Sequence, residues 1–300
     1  MEVCVILPAA GVGSRFSAGG SAASSKIEYE IAGRPAFLHA IDAFRAAGEV
    51  GQIVLAVHPD RLDDFRFRWG DRLSDAGVTL VAGGRVERWE TVSLALEAVE
   101  SGATHVAVHD AARPAVSAAL IQRVLKAAAR WPAVVPGLAV SSTLKRVETL
   151  PDAAAAGTVD RVDDILGLGP AQAGPEATDE EGLSRIVATV PRSGLVAVQT
   201  PQVFEIELLR RAYAQISGRA EAPSGSPRAK ASEAVPPTGV TDDAGLVEAL
   251  GQEVMLVEGD EGNVKITRPG DIELVTALMA HRRATVQKKA ATDLFGDDDD

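Results

Sequence analysis

Val3-Cys-Val-Ile-Leu-Pro-Ala-Ala-Gly-Val-Gly-Ser-Arg15 is the stretch whose reading decides the fold, and Lys26 extends it. The apolar run Val3–Leu7 reads as a strand buried on both faces, as in a parallel sheet covered by helices. Glycines follow. Gly11 and Gly13 lack Cβ atoms, so backbone N–H groups there can converge on an anion and approach it closely. Arg15 and Lys26 add fixed positive charge to a chain whose formal net charge is −12. Convergent amides with two cations suit a polyphosphate cradle; taken alone, the loop reads equally as a Gly-rich strand-to-helix turn with two solvated basic residues. The spacing matches neither G-x-x-x-x-G-K-[ST] nor G-x-G-x-x-G, since Phe16 stands where a third glycine would be needed. Ser17–Ser25 is small and polar and reads as a flap.

Downstream, strands and helices alternate. Gly33-Arg-Pro35 opens a helix carrying Phe37, Ile41 and Phe44, and Gln52–Val57 is the next strand. Asp60–Trp69 is a charged helix with Leu62, Phe65, Phe67 and Trp69 as candidate packing residues. Val78–Val81 is a strand ending at Gly83-Gly84, followed by a helix over Arg88–Val99. Thr104–Val108 is a strand ending at His109-Asp110, and Ser117 caps a helix reaching Arg130. This alternation predicts an α/β fold with a doubly wound, mostly parallel sheet. Ligands then sit at the carboxyl ends of strands.

Beyond Val134 the pattern changes. Thr143–Val147 and Gly194–Val198 read as strands of a projecting arm over about 137–198, with an irregular insertion at 151–189 between them. Phe204–Ile216 is a helix, and Gly218–Gly239 is a low-complexity insert that cannot bury enough surface to order itself. Thr241–Leu250 reads as a helix capped by Thr241, with Asp242 and Asp243 in its first turn. Val254–Val257 and Val264–Thr267 read as strands, Gly270–His281 as a closing helix, and 283–300 as an unstructured acidic tail. The organisation is one domain over 1–282 with these additions.

The acidic balance argues against a nucleic-acid surface, which needs clustered Lys and Arg. No apolar run approaches the roughly 18 residues that span a bilayer, and Glu2 and Pro8 do not suit a secretory signal. A cytoplasmic protein is expected, with Cys4 as an inert core thiol.

Two further groups carry chemistry. In His109-Asp-Ala-Ala-Arg-Pro114, Asp110 can hold a divalent metal or a ribose hydroxyl and Arg113 can grip a phosphate. The other reading of this pair alone is an Asp capping the following turn with an Arg paired to it. In Asn263-Val-Lys-Ile-Thr-Arg-Pro269, Lys265 alternates with Val264 and Ile266 and so faces away from the core. A lysine so placed is commonly a solvated edge residue.

The ordered set P-A-A-G-x-G-x-R, a later Lys26, G-G near Thr91, H-D-A-A-R-P, T-P-Q (Thr200–Gln202), T-D-D-A (Thr241–Ala244) and N-V-K-I-T-R-P resembles the methylerythritol phosphate cytidylyltransferases of the non-mevalonate isoprenoid pathway. The resemblance covers about 1–150 and 190–282. It implies a Rossmann-like nucleotidyltransferase with CTP as substrate and Mg²⁺ or another divalent cation as cofactor. It also implies a homodimer joined through the β-arm. By it, Ala9, Ala10, Gly11, Gly13, Arg15 and Lys26 bind the base edge and triphosphate, and Gly83, Gly84 and Thr91 contact cytosine and ribose. Asp110 holds the metal or the sugar alcohol, with Arg113 beside it. Lys265 sits by the α-phosphate and the acceptor phosphate, with Thr200 and Thr241 on the acceptor side. Arg192, from the partner's arm, clamps that phosphate. Arg161, in Thr158-Val-Asp-Arg161, is its rival.

Some positions depart from the family pattern. Ser25-Lys26-Ile27 replaces a usual P-K-Q, and Ser142-Thr143 a usual Asp-Thr. Arg85 follows Gly84 in a loop one residue longer than usual, where Glu87 can supply the carboxylate otherwise found there. Ala112 and Arg192-Ser-Gly-Leu195 favour methylerythritol phosphate over ribitol 5-phosphate as acceptor. Transfer to another polyol or sugar phosphate is the alternative. A nucleotide-binding module without catalysis is a third reading, disfavoured by the joint presence of Arg15, Lys26, Asp110 and Lys265.

Overall fold

β1 (Val3–Ala9) is the central strand of a computed structural model that describes residues 1–11, 27–149, 184–216 and 241–295. The chain divides into two units, Met1–Leu138 with Val198–Asp300, and Ala139–Ala197.

In the first unit β1 is followed by a small hairpin of β2 (Glu30–Ile31) and β3 (Arg34–Pro35), then α1 (Ala36–Ala47), β4 (Val50–Val57), α2 (Leu62–Asp75) and β5 (Val78–Ala82). Next come α3 (Arg88–Leu96), β6 (His105–Val108), α4 (Ala118–Ala128) and β7 (Ala133–Ala139). The chain then enters the second unit, a hairpin of β8 (Leu144–Thr149) and β9 (Ser184–Val190), and leaves through β10 (Val196–Val198). β11 (Gln202–Glu205), α5 (Ile206–Ile216), α6 (Asp243–Ala249), β12 (Met255–Glu258) and α7 (Gly270–Phe295) complete the first unit.

The main sheet runs β7-β11-β6-β1-β4-β5, with β12 also on β7. β6, β1, β4 and β5 are parallel, β12 is parallel to β7, and β11 is antiparallel to both neighbours. Period-2 alternation divides β1 between two cores. Val3, Val5 and Leu7 pack with Phe37, Ile41, Phe44 and Leu120 on one face. Cys4 and Ile6 pack with Val92, Ala95 and Leu209 on the other. An apolar run with no polar alternation therefore marks a strand covered by helices on both sides. Burial also pushes the Cys4 thiol up to about 12, as suits an inert core group.

Several expectations change. Phe204 lies in a strand, not a helix. It sits opposite Val106 with Val203 on the other core, and only Ile206 begins the amphipathic turn pattern. In α2, Phe65 is buried and rings with Phe37 at 5.2 Å, whereas Phe67 is 92% exposed. Two residues along a helix turn a side chain about 200° away, so the two cannot share a face. Gly194–Val198 holds β10 as expected, while β8 pairs with Ser184–Val190, so the end of the stretch assigned to the insertion is strand. Its side chains are mostly exposed, which removes the burial signal that makes strands legible. Val264–Thr267 joins no sheet, and Ile266 N–H instead bonds Ala112 O at 2.8 Å. Asp242, not Thr241, caps α6 by accepting Gly245 N–H at 3.1 Å. Finally, α7 continues past His281 to Phe295 where an unstructured tail was expected. The low-complexity insert lies outside the described residues. No described helix is long and apolar enough to cross a membrane.

Candidate active site

The parallel register brings three strand ends to one edge. β1 ends in Ala9-Ala10-Gly11, β5 in Gly83-Gly84 and β6 in His109-Asp110, with Gly83 N–H bonded to Val57 O at 2.7 Å. Between them lies a cleft of about 230 Å³ whose lining includes Ala9, Ala10, Gly11, Gly84, Thr91, Asp110 and Lys265. The paired glycines let the β5 end lie against α3. A Cβ on Gly83 would stand 2.7 Å from Thr91 Cγ2, and one on Gly84 2.4 Å from Glu90 Cβ. Thr91 Oγ1 accepts Gly84 N–H at 3.0 Å, and Glu90 Oε2 accepts the N–H groups of Val86 and Glu87 at 3.2 Å each. These bonds close the first turn of α3 and set the loop shape.

Asp110 is the electrostatic centre. Lys265 Nζ lies 2.8 Å from its Oδ2, Arg113 Nε 3.4 Å from the same oxygen and Arg88 Nε 3.5 Å from Oδ1. Burial alone would push its carboxyl up. Arg88, Lys265 and Arg113 together overcome that and hold it well below the usual carboxylate range. Arg88 also pairs with Asp243 at 2.8 Å, and Asp243 is fully buried and accepts the Tyr213 hydroxyl. Burial disfavours the guanidinium charge, but Asp243 and Asp110 raise its pKa beyond the usual arginine value.

Three of the sequence motifs are stapled together behind this carboxylate. Thr200 Oγ1 accepts Asp110 N–H at 3.1 Å and lies 3.1 Å from His109 Nδ1, while His109 Nε2 lies 3.2 Å from Arg113 O. One tautomer satisfies all three bonds: the Thr200 hydroxyl donates to Nδ1, and Nε2–H donates to the carbonyl. Asn263 Nδ2 donates to Thr200 O, and Arg113 Nη1 donates to Asn263 O, both at 2.7 Å. The Asn263–Arg268 strap is thus drawn across the strand ends. That crossing, rather than strand alternation, carries Lys265 to Asp110.

Of the expected site residues, Ala9, Ala10, Gly11, Gly84, Thr91, Asp110 and Lys265 share the cleft. Gly83, Arg113 and Thr200 are not among its lining residues: Gly83 lies against Thr91, and Arg113 and Thr200 bond Asp110. Thr241 is exposed just before α6 and is not among the lining residues. Arg192 lies in the second unit, where its guanidinium donates to Ser141 O. Gly13, Arg15, Lys26 and Arg161 lie outside the described residues. Arg88 and Asp243 went unrecognised in the sequence. Their available signals were a cation three residues before Thr91 and a second acid in T-D-D-A. Arg85 lines the cleft with its guanidinium paired to Asp60 at 2.7 Å, and Glu87 lines it too. Among the described residues no cluster of three or more His, Cys, Asp or Glu is placed to hold a metal.

A family profile described as 2-C-methyl-D-erythritol 4-phosphate cytidylyltransferase matches residues 3–172 and 176–281. A protein of that name from Acidobacterium capsulatum is 35% identical over 284 residues, covering 94% of this chain and 99% of that protein. Another, from Rhodopirellula baltica, is 35% identical over 294 residues, covering 94% and 97%. The crystal structure of the protein of that name from Thermus thermophilus superposes with a TM-score of 0.59 at 31% identity, covering 93% of this chain and 98% of that one.

Proposed function

Because this chain belongs to the 2-C-methyl-D-erythritol 4-phosphate cytidylyltransferase family, we propose that it transfers a cytidylyl group from CTP to 2-C-methyl-D-erythritol 4-phosphate, giving CDP-methylerythritol and pyrophosphate. The observation that carries the reading is the Asp110 carboxylate with Lys265, Arg88 and Arg113 around it, set on a cleft at the ends of β1, β5 and β6.

An oxygen of the acceptor phosphate forms a new bond to the α-phosphorus of CTP. The bond from that phosphorus to the α–β bridging oxygen breaks in line, and its electron pair leaves with pyrophosphate. The attacking oxygen is already ionised at neutral pH, so no side-chain nucleophile is required. Both reactants are polyanions, so this chain contributes charge neutralisation and alignment. In this reading Ala9, Ala10, Gly11 and Gly13 hold the nucleotide with Gly83, Gly84 and Thr91, and Arg15 and Lys26 neutralise the triphosphate. Lys265 bridges the α-phosphate and the acceptor phosphate, which Arg113, Thr200 and Thr241 help to place.

A divalent cation belongs to this reading, with substrate phosphates supplying most of its oxygens. Mg²⁺ is commonly held by one or two carboxylates together with substrate phosphates, and Asp110 and Glu87 are the carboxylates lining the cleft. Asp110 would hold the ion, which when bound would neutralise phosphate charge. A second copy belongs to the reading as well. Val147 and Ile186 on the arm hairpin are 55% and 60% exposed, an apolar surface suited to a partner that would bring its own Arg192 to the acceptor.

The test is pyrophosphate release with Mg²⁺, pairing CTP, UTP, ATP and GTP each with methylerythritol phosphate and with ribitol 5-phosphate. Turnover confined to CTP and methylerythritol phosphate is expected. Turnover confined to another pair refutes the substrate assignment, and nucleotide binding without release refutes the enzyme.

A further inference from the structure

We propose that Arg282, on the C-terminal helix, is a positioning residue that fixes the Lys265 strap through Asp260. The loop from Glu258 to Gly262 joins β12 to that strap, and its central carboxylate is held from several sides. Arg282 Nη2 lies 2.8 Å from both Oδ1 and Oδ2 of Asp260, Ser117 Oγ donates to Oδ2 at 2.7 Å, and Gly262 N–H donates to Oδ1 at 2.8 Å. The Arg282 guanidinium also donates to Ala115 O. Gly262 makes room for it, since a Cβ there would stand 2.1 Å from Arg282 Nη2. The clamp leads straight to the strap: Asn263 N–H bonds Asp260 O at 2.9 Å, and Lys265 is two residues further on.

One guanidinium nitrogen meets both carboxylate oxygens and the other meets Ala115 O, so Arg282 is held at two points. Side-chain exposure is 33% for Arg282 and 21% for Asp260, so the pair is partly shielded from water. Gln199 holds the Asp260 backbone by two further bonds, at 2.9 and 3.0 Å. Removing Arg282 leaves Ser117 and Gly262 on the Asp260 carboxylate and the strap pinned at Asn263 and Ile266, but takes away the charged partner of Asp260 and its tie to Ala115, so the start of the strap loosens and Lys265 approaches Asp110 less rigidly. The helix beyond His281 thereby acquires a role: its register sets the position of a charge in the cleft.

The turnover arm of the test rests on the proposed transfer reaction, and the exchange arm does not. Hydrogen exchange is followed in the full chain for wild type, Arg282→Gln and Arg282→Lys. In Arg282→Gln the segment 259–267 is expected to exchange about tenfold faster while β1, β4 and β5 are unchanged. Arg282→Lys should fall between the two. Turnover in Arg282→Gln should drop about tenfold to a hundredfold with KM for CTP within about twofold, and the same change in a Lys265→Ala background should cost nothing more. Unchanged exchange in 259–267 overturns the proposal whatever the turnover shows. Equal losses in both backgrounds also overturn it, since Arg282 would then act independently of Lys265. A wild type that turns over no CTP sinks the transfer reading, and the exchange arm still decides the clamp.

Discussion

Lowering the pH should destabilise this protein through His109, by an amount set by its surroundings. The ring is fully buried, lies 5.1 Å from Phe44 edge-on, and meets its three neighbouring groups in the neutral tautomer. A proton on Nδ1 would turn the acceptor of the Thr200 hydroxyl into a donor. Thr200 Oγ1 would then accept from both Nδ1–H and Asp110 N–H, and its own proton would lose its partner. Burial, only partly offset by Asp110, lowers the imidazole from 6.5 to about 4. The sign follows. Above about 6.5 both folded and unfolded chains hold the ring neutral, and its full contribution to stability is present. As pH falls below that value the unfolded chain takes up a proton that the folded chain refuses, so stability declines until about pH 4, where the folded ring also titrates. At about 1.4 kcal/mol per unit, the loss is about 3 kcal/mol. Urea unfolding from pH 7.5 to 4 should show this loss in wild type and not in His109→Gln. The difference between the two proteins removes the other titrating groups, including His105, which burial also lowers. An imidazole resonance of His109 titrating near the ordinary value, or the same pH dependence in both proteins, would refute the argument.

Two other outcomes follow from the same charges. Arg88→Met should cost roughly 3–5 kcal/mol in chemical unfolding, because it leaves the Asp243 carboxylate buried without its cation. Adding Asp243→Asn should restore much of that, and no recovery would mean that Arg88 stabilises through Asp110 or packing instead. Mixed dimers of Arg192→Ala with Lys265→Ala should regain part of the activity that each variant lacks alone if the arm serves the partner's cleft. Complete silence would place the acceptor clamp within one subunit, with Arg161 as the candidate.

Much of the fold was legible because its signals are local. Val3–Leu7 is apolar without alternation, and that happens when both faces of a strand are covered. Ser117 announces its helix because a hydroxyl at that position satisfies a free N–H; it accepts Leu120 N–H at 3.2 Å. The strand-end motifs around Gly11, Gly84 and Asp110 could be assigned to one edge because parallel crossovers put successive carboxyl ends on the same side. Exposed elements were harder. β9 and residues 283–287 of α7 are mostly exposed, so no hydrophobic period marks them.

What the sequence by itself determined is the set of groups and the sheet edge that gathers them: a glycine turn, a strand-end carboxylate and cations that suit phosphate chemistry. Which cation meets which carboxylate was decided only by the tertiary structure. Arg88 and Asp243 are far apart in the chain, yet they pair at 2.8 Å because α3 and α6 bring them together beside the cleft. Lys265 looked like a strand-edge residue and instead rides a strap that Asn263, Arg113 and Ile266 pin across the strand ends. A pairwise charge interaction depends on separation and burial. Local periodicity encodes which face a residue presents, but not the distance to a partner far along the chain.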